Sequence, residues 1–416
     1  VAFFIVMSDP EPITLPVSPK RPTKRQQQQR RDRLLIVGAL LLVIAAWFYG
    51  YLTSGADVAP LAGKVLPGAT SIQKSGDLFI GRNATGDLIG YAAVGSAPGY
   101  AGPVDMLVGT DPEGNILGVM VVAQRESPGF FRLITRSSLL ADYTGKPLTN
   151  PLQPGNDLDA VTGATVSAEA VAAAVRQAVR QVAADGLKNP LPPERRPLQV
   201  GWPELVLLLL FASGYVGHKL RGGAWKQRVR WGTLIAGMIF LGFVYTAPLT
   251  ITMFVSLLSG YWPDWHNNLY WYLLIGGVLF VTTVDAKNPY CSWFCPFGAF
   301  QECVGTLSGA KRYHPRNLDE PLKWVQRGLA LTAIVLGLAL RRPGVAGYEP
   351  FATLFDFRGT AVAWLLLGLI VFASLITWRP FCNYLCPIDP VVEMIAAVRR
   401  WLKEEWKRWH QPATKS

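Results

Sequence analysis

Charge is scarce in this 416-residue chain: Asp, Glu, Lys and Arg make up only 16% of it, against 50% hydrophobic residues. That is too apolar for an ordinary soluble enzyme and too polar for a protein embedded throughout, so a mixed architecture is predicted. Histidine is scarcer still, with four residues in all. His218 and His266 stand at the ends of apolar runs, and His314 and His410 in basic segments, so the paired ligands of a di-haem cytochrome are missing. Residues 53–200 contain no His, which removes the nucleophile–His pair of a hydrolytic site from that region. Cysteine is absent until position 291, where the first of the five stands.

What is present is hydrophobicity concentrated in 34–52 and again after 203, with a Gly-, Asp- and Pro-containing stretch at 53–200 that reads as water-soluble. Leu34 to Leu52 has no charge and is long enough, at about 1.5 Å per residue, to cross a hydrocarbon core roughly 30 Å thick. Its aromatic end, Trp47-Phe48-Tyr49, favours an uncleaved anchor over a signal peptide cut near Thr53-Ser54-Gly55-Ala56. Further spans are predicted near 203–218, 232–256, 269–286, 328–340 and 361–378. Lys and Arg number seven in 1–33, five in 218–231, six in 287–327 and seven in 379–416, but none in 259–268 and three in 341–358. This bias puts both termini in the cytoplasm and 53–200 outside, in an inner (cytoplasmic) membrane, with Arg341-Arg342 the one dissenting pair. The net charge of +12 is thus a matter of membrane topology, and no nucleic-acid partner is expected.

The fold class expected is a polytopic α-helical membrane protein of about six spans with an inserted extracytoplasmic α+β domain. Its divisions are a disordered basic N-terminus at 1–33, the anchor at 34–52, the outer domain at 53–200, a five-span domain at 203–378 and a cytoplasmic C-terminus at 379–416. Within 78–122, apolar runs alternate with turn signals such as Asn83-Ala84-Thr85-Gly86-Asp87 and Asp111-Pro112-Glu113-Gly114-Asn115, as in strands joined by tight turns. From Ser167 to Ala184, Val171, Val175, Val179 and Val182 recur on one helical face. The Trp-rich basic stretch Val398 to Trp409 reads as an amphipathic surface helix or a docking element for a partner subunit.

Just before the Ala-rich helix stands Asp159-Ala160-Val161-Thr162-Gly163-Ala164-Thr165-Val166-Ser167. A Gly among small residues, free N–H groups at a helix start and a Thr hydroxyl suit a phosphate. The same residues also suit a plain helix N-cap. Asp-x-x-Thr-Gly-Ala-Thr, however, resembles the flavinylation motif of the FMN-binding domains in the Na⁺-pumping NADH:quinone reductase, in Rnf complexes and in NosR-type membrane proteins. There the last Thr or Ser carries FMN through a phosphoester bond. The resemblance implies covalent attachment at Thr165, with Asp159, Thr162, Gly163 and Ala164 shaping the site for a flavin transferase. Glu126-Ser127-Pro128-Gly129 is similar to the Glu-Thr-Pro-Gly turn of those domains, which approaches the isoalloxazine ring.

Four of the five Cys form two like segments, Tyr290-Cys291-Ser292-Trp293-Phe294-Cys295-Pro296 and Phe381-Cys382-Asn383-Tyr384-Leu385-Cys386-Pro387. Each follows a predicted span on the basic side, and Glu302 and Glu393 stand seven residues past each second Cys, so this is an internal repeat. Cys at i and i+4 share a face, and two pairs offer four thiolates. An iron–sulfur cluster, redox-active dithiols, a Cys₄ zinc site and plain buried thiols all remain open readings of Cys291, Cys295, Cys382 and Cys386. Cys303 matches nothing in the repeat and reads as a structural thiol. Aromatic groups such as Tyr261-Trp262-Pro263-Asp264-Trp265 and Tyr270-Trp271-Tyr272 read as interfacial anchors, with a quinone site between helix mouths as the other reading.

Paired C-x-x-x-C-P motifs after membrane spans resemble the NosR/NirI family, whose shorter PceC-like members are the closer analogue, because NosR proper continues into a ferredoxin domain that is not found before Ser416. The resemblance implies an electron-transfer component rather than a self-contained enzyme. Electrons would pass between a cytoplasmic-side or quinol donor, a Cys-ligated iron–sulfur centre and the outer FMN, then on to an extracytoplasmic acceptor. Redox partner proteins or other components of a larger respiratory complex are the expected partners. The other function class is a regulatory or assembly protein that uses the flavin as a redox sensor. It is disfavoured because the cytoplasmic segments are too short for an output domain.

Overall fold

The computed structural model describes residues 24–53, 58–99, 102–126, 128–161, 165–192, 198, 200–220, 222–266, 268–285, 288, 290–310 and 318–410. Most of the N-terminal stretch expected to be disordered lies outside these residues. The chain divides into two compact units, 1–41 and 42–416. The helix α1 (Lys24–Thr53) carries the apolar run 34–52 without interruption.

After a short helix α2 (Ala59–Val65), five strands form an antiparallel meander in sequence order. They are β1 (Ser71–Ser75), β2 (Leu78–Arg82), β3 (Leu88–Pro98), β4 (Pro103–Thr110) and β5 (Ile116–Gln124). The two predicted turns sit between β2 and β3 and between β4 and β5, with Gly86 and Gly114 at positive φ. Alternation along the strands splits the side chains into two layers. Ala93, Met106 and Val108 pack with Val171, Val175, Val179 and Val182 on one face, while Phe79, Ala92 and Leu107 pack with Ala62, Val65 and Leu66 on the other. The helix α3 (Pro128–Arg136) follows β5. The first face is covered by α4 (Thr165–Gln181), which runs into a π-helical turn over Val182–Gly186. A Cβ added at Gly95 would overlap the Ala174 carbonyl, so α4 approaches the sheet as closely as it does because β3 has no side chain there.

The remaining chain is a helical bundle: α5 (Trp202–Lys219), α6 (Ala224–Gly237), α7 (Ile251–Ser259), α8 (Leu269–Asp285), α9 (Pro296–Ser308), α10 (Asp319–Ala339), α11 (Pro343–Ala346), α12 (Phe351–Phe355), α13 (Ala361–Ile376), α14 (Pro380–Tyr384) and α15 (Ile388–His410). Among the described residues two helices, Arg30–Thr53 and Asp319–Ala339, are long and apolar enough to cross a membrane, and Trp202–Gly217, Leu269–Val284 and Ala361–Ile376 are shorter apolar helices. Large apolar side chains also point outward, with Val362 75% and Leu365 65% exposed on α13. The amphipathic helix expected over 398–409 is the second half of α15.

Two stretches differ from the expected spans. Residues 232–256 are not one helix: α6 continues as a π-helical segment, Met238–Val244, and the chain then breaks, with Thr246 at φ 47°. Pro248 lacks an N–H and keeps Ala247 out of the α region, so a new helix, α7, starts only at Ile251. The segment 341–358, expected as an outer loop, instead turns into the bundle. Phe351 and Phe355 are buried there, and the Phe351 ring packs on those of Phe297 and Phe381. The two inward segments meet where the half-buried Glu349 accepts the Ile251 N–H at 2.7 Å.

Candidate functional site

Glu126 follows the last strand and is only 4% exposed, an arrangement that needs a partner for its carboxylate. Ser167, in the first turn of α4 and 2% exposed, donates its hydroxyl to Glu126 Oε2 at 2.9 Å. This bond joins the 126–129 turn to the start of α4, two segments 41 residues apart. Gly99 faces the same carboxylate so closely that a Cβ there would overlap Glu126 Oε1. Pro128 and Gly129 open α3 and Thr165 opens α4, while Ser127, Thr162, Gly163 and Ala164 lie outside the described residues. The first turn of α4 contains no acidic residue of its own, and a helix N-terminus favours an anion. A phosphate-bearing flavin therefore fits here. Asp159 is exposed, accepts the Ser138 hydroxyl at 2.7 Å and lies on the loop leading into α4.

The sheet domain rests on the bundle through this same corner. Gly344 of α11 sits beside the Arg125 and Glu126 carbonyls, where an added Cβ would be 3.3 Å from Glu126 O. The Tyr261 ring has two guanidinium groups against it, Arg125 and Arg341, each 5.1 Å from its centroid. Arg341 also donates to the Tyr261 hydroxyl at 2.7 Å. A cavity of about 140 Å³ opens nearby, lined by residues that include Gly50, Gln124, Arg125 and Arg342.

The two Cys segments share one local architecture, which is not the simple i, i+4 turn expected. Cys295 N–H donates to Tyr290 O and Cys386 N–H to Phe381 O, both at 2.8 Å, closing a wider i to i+5 turn. The Pro after each second Cys cannot donate, so it ends the turn; Pro296 opens α9 and Pro387 stands just before α15. Each repeat also places an Arg from an earlier helix on its Glu: Arg230 with Glu302 and Arg327 with Glu393. The first pair is in the core and the second is half-exposed, so only the first can contribute much.

The repeats are brought together across the bundle. Gln301 donates to Cys382 Sγ at 3.1 Å and accepts from Phe381 N–H at 3.0 Å, while Asn288 donates to Cys291 Sγ at 2.9 Å. Gln326 of α10 donates to both Cys382 O and Cys386 O. All five Cys are free thiols. Burial pushes the Cys291, Cys295, Cys382 and Cys386 thiols up, Cys382 to about 12, and Cys386 feels the charge of the other three. Among the described residues no three His, Cys, Asp or Glu draw together closely enough for a single metal ion, which counts against the zinc reading. The four thiols lie within electrostatic reach of one another and offer the four-Cys donor set of an iron–sulfur cluster. Sequence reading missed Ser167 as a partner of Glu126, and missed Asn288, Gln301 and Arg379. Asn288 and Arg379 are signalled only by their matching place, three residues before each first Cys.

Comparison with known proteins assigns chemistry to both regions. The FMN-binding domain family matches residues 99–180, and the 4Fe-4S binding domain family matches 267–314 and 360–405, each of the latter segments containing one Cys pair. The regulatory protein NosR of Pseudomonas aeruginosa is 27% identical over 229 residues, covering 50% of this chain and 32% of that protein. Protein NirI of Paracoccus denitrificans is 28% identical over 215 residues, 48% of this chain and 31% of that one. A component of the ion-translocating oxidoreductase complex of Pseudomonas aeruginosa is 39% identical over 95 residues, 20% of this chain and 44% of that one. The match thus spans about a third of the length of NosR and NirI. Fold and matches define a protein that binds FMN and an iron–sulfur cluster. With both kinds of domain in one chain, it resembles the NosR and NirI proteins.

Proposed function

We propose that this chain is a membrane electron-transfer flavoprotein. It would carry electrons from a cytoplasmic-side or quinol donor to an extracytoplasmic acceptor, using a cluster held by Cys291, Cys295, Cys382 and Cys386 and an FMN joined to Thr165 by a phosphoester bond. The flavin and the cluster supply the redox chemistry when bound; the protein supplies position and electrostatics. The observation that carries the reading is the buried Ser167–Glu126 hydrogen bond, which sets the flavin-contacting turn against the helix start that bears Thr165. Amides at that helix start would hold the phosphate, and Asp159 on the approach loop would serve a flavin transferase.

The bundle sets the separation of the two sites. Along α10, Gln326 touches the second Cys loop and Arg341, just past the helix end, touches Tyr261 beside the outer domain. From Gln326 to the end of α10 at Ala339 the helix rises about 20 Å at 1.5 Å per residue, and Phe351 of the inward segment 341–358 packs on Phe297 and Phe381. The apolar helices and the Lys/Arg bias support an inner-membrane location with both termini cytoplasmic. Redox partner proteins or other components of a respiratory complex would complete the path.

The test is in-gel flavin fluorescence after denaturation. It should persist in wild type and vanish in Thr165→Ala and Thr165→Val, and persistence in both variants would sink the attachment site. Conduction is tested with sealed inside-out vesicles, in which a reductant added to the cytoplasmic face should bleach the flavin and an oxidant enclosed inside should restore it repeatedly. A single, unrepeated reduction would favour the sensor reading.

A further inference from the structure

The trio of half-buried Arg230 and Arg379 on the buried Glu302 has an imbalance that Glu302 alone does not explain. Both Glu302 carboxylate oxygens already receive Arg230, through Nη1 at 3.0 Å and through Nη2. Arg379 adds a second guanidinium, with Nη2 2.7 Å from Glu302 Oε1, while its own side chain is 12% exposed. Two cations on one anion leave a net positive charge around the buried Glu302, which favours a further anion nearby. Arg379 Nη1 donates to Cys291 O at 2.9 Å, crossing from the second repeat to the first. Its buried Nε has no hydrogen-bond partner among the described residues. The guanidinium lies over Gly298, where a Cβ would be only 3.4 Å from Cζ, and its charge reaches both Cys295 and Cys382. Finally, the Arg379 backbone is left-handed, at φ 51° and ψ 54°, a conformation that a non-Gly residue keeps only when its surroundings hold it there.

We propose that Arg379 is the positioning residue of the four-Cys centre: it ties the two Cys loops across the repeat, and its unpartnered Nε–H donates to the sulfur of the bound cluster. The proposal rests on the reading of the four Cys as cluster ligands. A donor and a positive charge beside the sulfurs stabilise the more negative, reduced cluster and so raise its potential. Lysine retains the charge but not the planar set of donors, so it separates the two contributions.

The experiment uses the full-length chain purified anaerobically, with iron and sulfide analysis and a potentiometric titration followed by electron paramagnetic resonance. In Arg379→Lys, iron should stay near the wild-type level while the reduction equilibrium shifts at least tenfold toward the oxidised form, about 59 mV for a one-electron couple. In Arg379→Met, most of the iron should be lost while covalent flavin fluorescence remains. Wild-type potential in the Lys variant together with wild-type iron in the Met variant would overturn the proposal. If the Met variant loses flavin as well, the potential of the Lys variant decides alone. Cys291→Ser runs in parallel. Loss of iron there with no effect at Arg379 refutes only the role of Arg379, whereas full retention of iron refutes the ligand reading and this proposal with it.

Discussion

Ser167 and Arg341 illustrate how single side chains serve purposes that their sequence neighbourhoods conceal. Ser167 reads as an N-cap residue, yet its hydroxyl is directed to Glu126, 41 positions earlier. Ser167→Ala should leave that buried carboxylate short of a donor, at a cost of about 1–3 kcal/mol. The expected outcome is a lower unfolding temperature of the outer domain and less covalent flavin per chain, with Ser167→Thr close to wild type in both. Arg341 reads as a charge on the wrong side of the membrane, but it is engaged with the Tyr261 hydroxyl and ring. Positive-inside counting treats each cation as free, so an Arg consumed in a contact misleads it. The flavin motif is legible because its chemistry requires fixed residues at fixed spacing. Arg379 is not legible, because its role comes from a left-handed backbone and a neighbour 88 positions away.

At the level of elements, periodicity predicts what is built from local pattern and misses what is built from encounters. The Val171, Val175, Val179, Val182 stripe predicts α4, and strand alternation with the two turns predicts the meander; both are found. The close packing of α4 on β3 depends on Gly95, and Gly95→Ala should push the helix from the sheet. A loss of about 1–3 kcal/mol is expected, read as a drop in the unfolding midpoint followed by flavin fluorescence. The inward segments are not legible, since residues that enter a bundle and leave it are as apolar as those that cross. At the start of α15, burial and the neighbouring Glu393 push Asp389 up from 3.8 to about 6, against the pull of Lys323 and Arg327. A carboxyl raised in the folded state binds its proton more tightly there than when unfolded. Its stabilising contribution is therefore complete below about pH 4 and is lost as pH rises through 6, amounting to about 3 kcal/mol. Chemical unfolding in detergent at pH 4 and pH 7 should show this loss in wild type and lack it in Asp389→Asn.

For the molecule as a whole, the bias in Lys and Arg makes a definite prediction. A reporter active only in the cytoplasm should work after Ser416 and fail when inserted at Gly145, and the reverse pattern would place the flavin domain inside. The repeat around each Cys pair is visible in sequence as far as Glu302 and Glu393, but not the inequality between the halves, where one Arg–Glu pair is buried and the other exposed. The contact between Glu349 and Ile251 bears on how the chain is made. The first amide of α7 finds its acceptor in a residue synthesised 98 positions later, so during translation the earlier inward segment emerges with no partner. The expectation is that the first half stays open around α7 until the second supplies this acceptor. A chain arrested before Glu349 should therefore be cleaved by protease around Thr246–Thr250, and the same bonds should become resistant once translation has passed the second Cys pair.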